Sequence, residues 1–206
     1  MLKVLFCIAI VGHLLCGYCD CLITYVPGGK RFDFKAMSDN KKMAETFENM
    51  PLKNPVLSMV LGCLALLLCS CGYFGVYLWM KQFSNASAVI ILIASAIFFI
   101  PGTAHHVFCG VAEWFYIRMG RSENARLAVV EFFKSTSSTM IACYIGLIVF
   151  AVTAFVAVVT GATDLPRWAC VFNIIPVYIV LTPLRVGGTI NWSAAIMFVG
   201  FLIAQG

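Results

Sequence analysis

The chain has 206 residues, of which 62% are hydrophobic and 11% are charged, with a mean hydropathy of +0.95. Soluble domains are roughly half apolar and about a quarter charged, so this composition excludes an ordinary soluble domain and indicates an integral membrane protein. The formal net charge is +5, but the positive residues fall mainly in loops between apolar runs. That pattern is typical of membrane topology rather than of nucleic-acid binding. We expect the lipid bilayer as a partner and no nucleic acid.

Six apolar segments follow one another along the chain and predict an all-α bundle of five to six transmembrane spans. A span needs about 20 apolar residues to cross about 30 Å of hydrocarbon, and it must satisfy its own backbone hydrogen bonds, which favours helices. The sixth segment is short, so it either spans or is re-entrant. We expect one transmembrane domain over residues 1–206, with segments at about 2–26, 55–80, 87–117, 135–160, 168–185 and 189–204.

The first segment starts like a signal peptide, because Lys3 precedes an apolar run. The run continues through Tyr25, and no small-residue cleavage site clearly closes it. We therefore expect a retained span.

The largest polar segment is the loop 27–54, which carries six of the positive residues. Within it, residues 38–50 predict a short amphipathic helix with Met43, Phe47 and Met50 on one side. We expect this helix to lie on the inner membrane surface.

Loop charges predict the orientation of the bundle. Eleven of the fourteen Lys and Arg residues fall in the loop 27–54, in the loop 118–134 or at Arg185, which the six segments place on one side. The positive-inside rule then puts the N-terminus outside and both loops in the cytoplasm. The expected location is the cell (plasma) membrane, with several passes.

The third segment contains the most unusual polar residues. His105 and His106 follow Pro101 and precede Glu113 inside an otherwise apolar run, and ionisable groups are costly in hydrocarbon unless they have a partner or a use. Helical spacing puts His106 and Glu113 on one face. Pro101 and its neighbour Gly102 are expected to kink or break the helix one turn earlier.

The predicted topology gathers polar groups from several segments in the cytoplasmic half of the bundle. Glu131 and the hydroxyl-rich run 135–139 fall at this level too, while the opposite half contains mainly His13, Asn173 and Asn191. Asp20 is expected to pair with a histidine or with the arginine of this level. The candidate residues for a protonatable binding site are Asp20, His105, His106, Glu113 and Arg185.

Other chemistries are less well supported. Asp20, His105, His106, Cys109 and Glu113 include metal-ligand types, but no His-Glu-x-x-His pattern occurs. No residue specifically marks a haem ligand, and no nucleophile motif surrounds Cys109. The sequence therefore assigns no metal ligand, no cofactor and no catalytic residue, and it leaves open whether a metal or haem is bound.

Three short elements resemble an uncharacterised family of bacterial membrane proteins. They are an Asp-x-Leu-x-x-Tyr-x-Pro-Gly-Gly element over residues 20–29, Pro-Arg-Trp at 166–168, and a final apolar stretch at 195–201. The resemblance implies a six-span integral membrane fold and a domain of unknown function, without an activity. It marks as matching positions Asp20, Tyr25, Pro27, Gly28, Gly29, Arg167 and Trp168.

Three functions are compatible with these observations. The favoured one is a non-enzymatic membrane protein that binds or transports a small molecule or ion through a protonatable site in the inner leaflet. The alternatives are an intramembrane enzyme acting on a lipid or isoprenoid, and a structural or assembly protein without a ligand. The substrate and the oligomeric state do not follow from the sequence.

Overall fold

The structure is a computed structural model that describes residues 1–204, and within them the protein is an all-α bundle with one short hairpin. Four of its helices are long and apolar enough to cross a membrane. The helices are α1 Leu2–Thr24, α2 Asn40–Phe47, α3 Lys53–Met80, α4 Asn85–Arg118, α5 Glu123–Val159, α6 Ile174–Leu181 and α7 Thr189–Ala204.

The four long helices α1, α3, α4 and α5 alternate in direction. Phe6 near the start of α1 faces Gly75 near the end of α3, while Ser58 near the start of α3 donates to the carbonyl of Cys19 near the end of α1. Helices α4 and α5 pack in the same antiparallel manner, with Gly146 against the Phe98 backbone and Cys143 against Gly102. Small residues at these crossings let the backbones approach closely, as is typical where lipid removes the hydrophobic driving force.

Helix α4 continues through Pro101, so of the expected kink or break the break does not occur. Proline cannot donate to the carbonyl one turn earlier, but membrane helices tolerate this because neighbouring groups compensate. Beside the proline, the Thr103 hydroxyl donates to the Phe99 carbonyl at 2.8 Å. The histidines therefore lie on an unbroken helix, not beside a half-helix end.

The predicted loop 118–134 is mostly helical, which corrects the sequence-based boundary. Helix α5 begins at Glu123, and the Ser122 side chain caps it by accepting from the Ala125 amide. Only a tight turn separates it from α4. Gly120 and Arg121 have φ values of 71° and 57° in that turn, so it reverses the chain within a few residues.

The fifth predicted segment is not one helix. It consists of a 3₁₀ turn Arg167–Phe172, helix α6 and a second 3₁₀ turn Thr182–Leu184. The 8 residues of α6 and the 16 of α7 extend about 12 Å and about 24 Å at 1.5 Å per residue, less than the about 30 Å of a hydrocarbon core. Both helices are therefore shorter than a membrane crossing, unlike the four long helices.

Helix α7 lies antiparallel to α1 along its length. Trp192 at its start lies against Gly17, and Phe201 near its end contacts Phe6 at 5.7 Å between ring centroids. The start of α7 therefore lies at the same end of the bundle as Asp20. This end also contains the segment 25–52.

The segment after α1 forms a small cap on that end. Strands β1 Tyr25–Val26 and β2 Lys30–Arg31 pair antiparallel across a turn that holds Gly28 and Gly29 at φ values of 96° and 84°. Helix α2 follows at Asn40–Phe47, within the predicted amphipathic stretch.

The apolar side of this amphipathic helix packs against the protein itself. Met43 and Phe47 are buried in a protein cluster with Tyr116 of α4 and Val129 of α5. Arg121 fixes the end of α2 by donating to the Phe47 carbonyl at 2.9 Å. The end of α4 and the start of α5 form an apolar surface, and the apolar side of α2 is buried against it.

Candidate functional site

The carboxylate of Asp20 and the imidazole of His106 face each other inside the bundle. Asp20 lies in the last turns of α1 and His106 in the middle of α4, and the distance from Asp20 Oδ1 to His106 Nδ1 is 3.5 Å. Their side chains are 24% and 10% exposed, so bulk water screens the pair only weakly. The expected pairing of Asp20 with a histidine is thus present in the structure, and the partner is His106.

Helix α3 fixes the far side of the His106 ring. Its Nε2 atom lies 3.0 Å from the Ser58 carbonyl oxygen and 3.3 Å from the Ser58 hydroxyl, which itself donates to the Cys19 carbonyl at 3.0 Å. Gly62 provides the space, because a Cβ there would overlap the imidazole. A carbonyl oxygen only accepts hydrogen bonds, so His106 Nε2 carries a hydrogen and Nδ1 is the atom that Asp20 addresses.

Helix α7 holds the other oxygen of Asp20. Asn191 Nδ2 donates to Asp20 Oδ2 at 2.8 Å, and Asn191 Oδ1 accepts from His13 Nδ1 at 2.9 Å. Backbone also approaches Asp20 at Gly188, which has a φ of 71° and where a Cβ would lie 3.0 Å from Oδ2. We call His13, Ser58, His106, Asn191 and Asp20 the Asp20 cluster.

The buried end of this cluster is His13. Its side chain is fully buried, and its Nε2 atom has no hydrogen-bond partner within residues 1–204. The ring packs on Tyr73 and Phe198, with centroid distances of 5.8 Å to each. The hydrogen-bonded chain therefore leads from Asp20 to an imidazole enclosed by aromatic rings.

Cys16 lies one helical turn before Asp20 and is also buried. Its sulfur, a carboxylate oxygen of Asp20 and a ring nitrogen of His106 all lie within 4.8 Å of one another. A thiol, a carboxylate and an imidazole are thus gathered at one point between α1 and α4.

A cavity of 860 Å³ reaches Asp20 from the capped end of the bundle. It is bounded by α1, α4, α5, α6 and the segment between α6 and α7, and by residues of the cap. The side chains that line it include the acidic Asp20, Asp33 and Glu113, the basic Arg31, Lys35 and Arg185, and the aromatic Phe32, Phe34, Phe47, Phe133, Tyr144 and Tyr178. Charged groups of both signs and apolar walls therefore face the same space.

Glu113 contributes a buried carboxyl group to this cavity. The residue is 7% exposed, and its Oε2 atom is buried without a hydrogen-bond partner among the described residues. Arg121 does not neutralise it, since its guanidinium group donates to the carbonyls of Phe47 and Glu48. Unsatisfied buried polar groups are rare in folded proteins, so Glu113 stands out as a group open to a ligand.

The five predicted site residues divide into two groups. Asp20, Glu113 and Arg185 line the cavity, and His106 joins it through Asp20. His105 faces elsewhere, with its Nε2 atom 3.6 Å from Cys109 Sγ and its Nδ1 buried without a partner in the described chain.

Arg185 lies at φ 52° in the turn before α7. Its carbonyl accepts from Arg31 and, at 3.5 Å, from the Tyr25 hydroxyl. The turn is thereby attached to the hairpin, and the guanidinium group stays exposed beside the cavity.

Asn191 and Cys16 lie at the site but are not among the residues predicted for it. Asn191 was expected in the opposite half of the bundle, but it contacts Asp20 directly. The sequence order does indicate this position for Asn191. Arg185 is predicted at the same end of the bundle as Asp20, and the sixth segment starts just after Arg185, so Asn191 near its start lies at that end too. The i, i+4 spacing of Cys16 and Asp20 likewise indicates one helix face.

The hydroxyl-rich run at 135–139 does not belong to the site. Thr136 and Thr139 donate back to carbonyls of their own helix at 2.8 Å, as such residues commonly do. Glu131 is exposed.

A comparison with protein families finds one match, which covers residues 1–203 and carries the description "Family of unknown function (DUF6796)". No curated protein and no solved structure matches the chain. The site must therefore be interpreted from its own chemistry.

Proposed function

Because the chain belongs to DUF6796, a family of unknown function, we propose its function from the site itself. It is an integral membrane protein that binds or moves a small molecule or ion through the cavity. Asp20 and His106 form the protonatable site, and Glu113 is a second acidic group in the same cavity.

One observation supports this proposal above the others: a cavity of 860 Å³ extends to a carboxylate that is paired with a buried histidine. Histidine changes charge in the physiological pH range, so the occupancy of the cavity and the protonation of the pair are coupled by their proximity. A bound cation competes with the proton of the pair, and a bound anion favours the protonated pair.

The direction of access follows from the loop charges. The basic residues of the cap and Arg185 lie at the end where the cavity opens, and positive residues favour the cytoplasmic side. We therefore propose that the cavity faces the cytoplasm, with segment 27–54 and the turn after α4 on that side. The N-terminus lies outside in this orientation.

The test measures the charge movement that follows proton binding. Proteoliposomes adsorbed on a solid-supported membrane electrode receive a step from about pH 7.5 to about pH 5.5, which covers the range in which histidine titrates. We expect a transient charge displacement from the wild-type protein, since protonation of a weakly screened pair moves charge within the membrane. Asp20→Asn should lose most of this signal.

The matched control is Glu131→Gln, which also replaces a carboxylate by an amide but at an exposed position on α5. It should retain the wild-type signal. Equal signals from wild type, Asp20→Asn and His106→Gln would refute a protonatable site at this pair.

A lipid-directed enzyme is a second candidate, favoured by the aromatic side chains that line the cavity. Tyr144 and Tyr178 are 45% and 40% exposed on α5 and α6, so the cavity has an apolar side that suits an acyl or isoprenoid chain. Glu113 then supplies a general acid or base. Incubation of the proteoliposomes with labelled phospholipid and polyprenyl phosphate, followed by chromatography, distinguishes turnover from binding.

The purely structural alternative has less support. A cluster that only fixes helix packing is expected to be fully paired and enclosed, because unsatisfied buried polar groups are costly. Here the cavity reaches Asp20, and Glu113 Oε2 has no partner within residues 1–204.

A further inference from the structure

We propose that Cys16, Asp20 and His106 bind a divalent transition metal ion of the Zn²⁺ class. The inference rests on the proposed function and deepens it, because it names the ion that the cavity admits to the Asp20 and His106 pair. A thiolate, an imidazole and a carboxylate are the three side-chain types that zinc prefers in proteins. Each comes here from a rigid helix rather than from a loop.

The spacing of the donor atoms fits one shared ion. Tetrahedral zinc sites have bonds of about 2.0–2.3 Å, which puts neighbouring ligand atoms about 3.3–3.7 Å apart. The 3.5 Å between Asp20 Oδ1 and His106 Nδ1 falls in this interval. The three donor atoms lie within 4.8 Å of one another, so contraction by about 1 Å at the Cys16 side chain completes the triangle.

The orientation of His106 is the one that metal ligands adopt. Its Nε2 hydrogen donates to the Ser58 carbonyl, and metal-ligating histidines almost always donate their other N–H to a carbonyl or carboxylate. In the neutral ring the Nδ1 lone pair then points at the Asp20 carboxylate. Two electron-rich atoms in that arrangement need a cation between them, which is either a proton or a metal ion.

Asp20 is held in the same way. Asn191 donates to its Oδ2 atom, which leaves Oδ1 directed at His106. The backbone of Gly188 lies close to the carboxylate without a side chain to cover it. Outer hydrogen bonds of this kind fix the orientation of a ligand before the ion arrives.

The donor set decides between classes of cation. Mg²⁺ and Ca²⁺ require six or more oxygen donors, whereas thiolate and imidazole favour softer transition metals. Three protein ligands leave a fourth position, and Asp20 lines the cavity from which water or another ligand reaches it. An open fourth position is typical of zinc sites that exchange or react rather than of purely structural ones. Binding releases the thiol proton of Cys16 and any proton on His106 Nδ1.

The experiment titrates the full chain, reduced and stripped of metal, in detergent micelles with Zn²⁺ against a chromophoric chelator. We expect one tight site per chain. The variants Cys16→Ser and His106→Gln should weaken it by at least about 100-fold, beyond the effect usual for outer-shell changes. In a parallel titration with Co²⁺, the thiolate-to-metal absorption band should appear with the wild type and be missing with Cys16→Ser.

Cys143→Ser is the matched control, because this half-buried thiol on α5 lies against Gly102 and outside the cluster. It should bind as the wild type does, which excludes zinc capture by Cys143. If the Cys16 or His106 variant does not fold, the Co²⁺ band and the proton release of the wild type still test for a thiolate ligand, and absence of both would overturn the proposal. Absence of a tight site, or unchanged binding in folded Cys16→Ser, would overturn the proposal.

The two proposals fail in distinguishable ways. The pH-step signal is recorded with a strong chelator present, so it does not need the metal. A signal that persists without stoichiometric Zn²⁺ binding overturns the metal site alone. Tight Zn²⁺ binding without any pH-step signal overturns the proposal that Asp20 and His106 form a protonatable site. It leaves the metal-site proposal intact.

Discussion

Gly62→Ala should destabilise the protein, although alanine is the better helix former. The added Cβ would occupy the place of the His106 imidazole, the ring atom nearest to it being Nε2. The ring has little room to retreat, because Asp20 lies 3.5 Å from its other nitrogen. The substitution therefore displaces His106 from Ser58 or separates α3 from α4.

The expected magnitude follows from three contributions. Overpacking in a well-packed interior costs about 1–3 kcal/mol, and loss of the hydrogen bond to Ser58 costs about 1 kcal/mol more. Replacing glycine by alanine inside a helix stabilises the helix by about 0.5–1 kcal/mol, which offsets part of this loss. The net loss in the free energy of unfolding is about 1–3.5 kcal/mol.

The assay is reversible unfolding of the purified protein by SDS in mixed micelles, followed by circular dichroism. Gly102→Ala is the control, since it is also helical and its Cβ would meet only the end of the Cys143 side chain at 3.0 Å. That variant should be neutral or slightly more stable. The double variant Gly62→Ala with His106→Ala should lose less than the sum of the single losses, by at least about 1 kcal/mol.

One result would show that His106 does not contact α3. If Gly62→Ala unfolds at the same SDS fraction as Gly102→Ala, the imidazole does not lie against α3 as described. Additive losses in the double variant would contradict this contact independently.

Two further predictions concern other parts of the structure. Asn191→Leu should lower the free energy of unfolding by about 2–4 kcal/mol, because it leaves Asp20 Oδ2 and His13 Nδ1 without their partner at about 1–2 kcal/mol each. The same SDS titration measures it, and unfolding at the same SDS fraction as the wild type would contradict the bridge between α1 and α7. Phe47→Ala should cost about 3–5 kcal/mol at a fully buried site and should release the cap first. Hydrogen exchange of residues 40–47 would then rise before that of α3, whereas uniform exchange would show that the cap does not open separately.

Much of the fold followed from local patterns. The four long helices could be predicted because each apolar run exceeds the length of a bilayer crossing, and length and hydropathy are properties of the run alone. The broken fifth segment could not be predicted in the same way. Its apolar residues form a continuous run in the sequence, but 3₁₀ turns stand on both sides of α6. The first of these turns packs on α5 and α7.

Part of the candidate site could also be predicted from local sequence patterns. His106 and Asp20 were identified because charged groups in apolar runs are conspicuous in any sequence. Asn191 and Ser58 are not conspicuous, since neutral polar residues are common in membrane helices. Their importance arises from contacts over 171 and 48 residues of chain, which no local pattern records.

The sequence by itself determined the class of protein, because composition and run length report directly on the solvent that each segment prefers. It also determined which titratable groups lie within that apolar environment. Only the tertiary structure decided which of them meet. The crossing of α1, α3 and α4 selects His106 over His105, the return of α7 brings Asn191 to Asp20, and the capped end leaves a cavity beside them. These are consequences of how whole helices pack, and packing depends on surfaces formed by residues far apart in the chain.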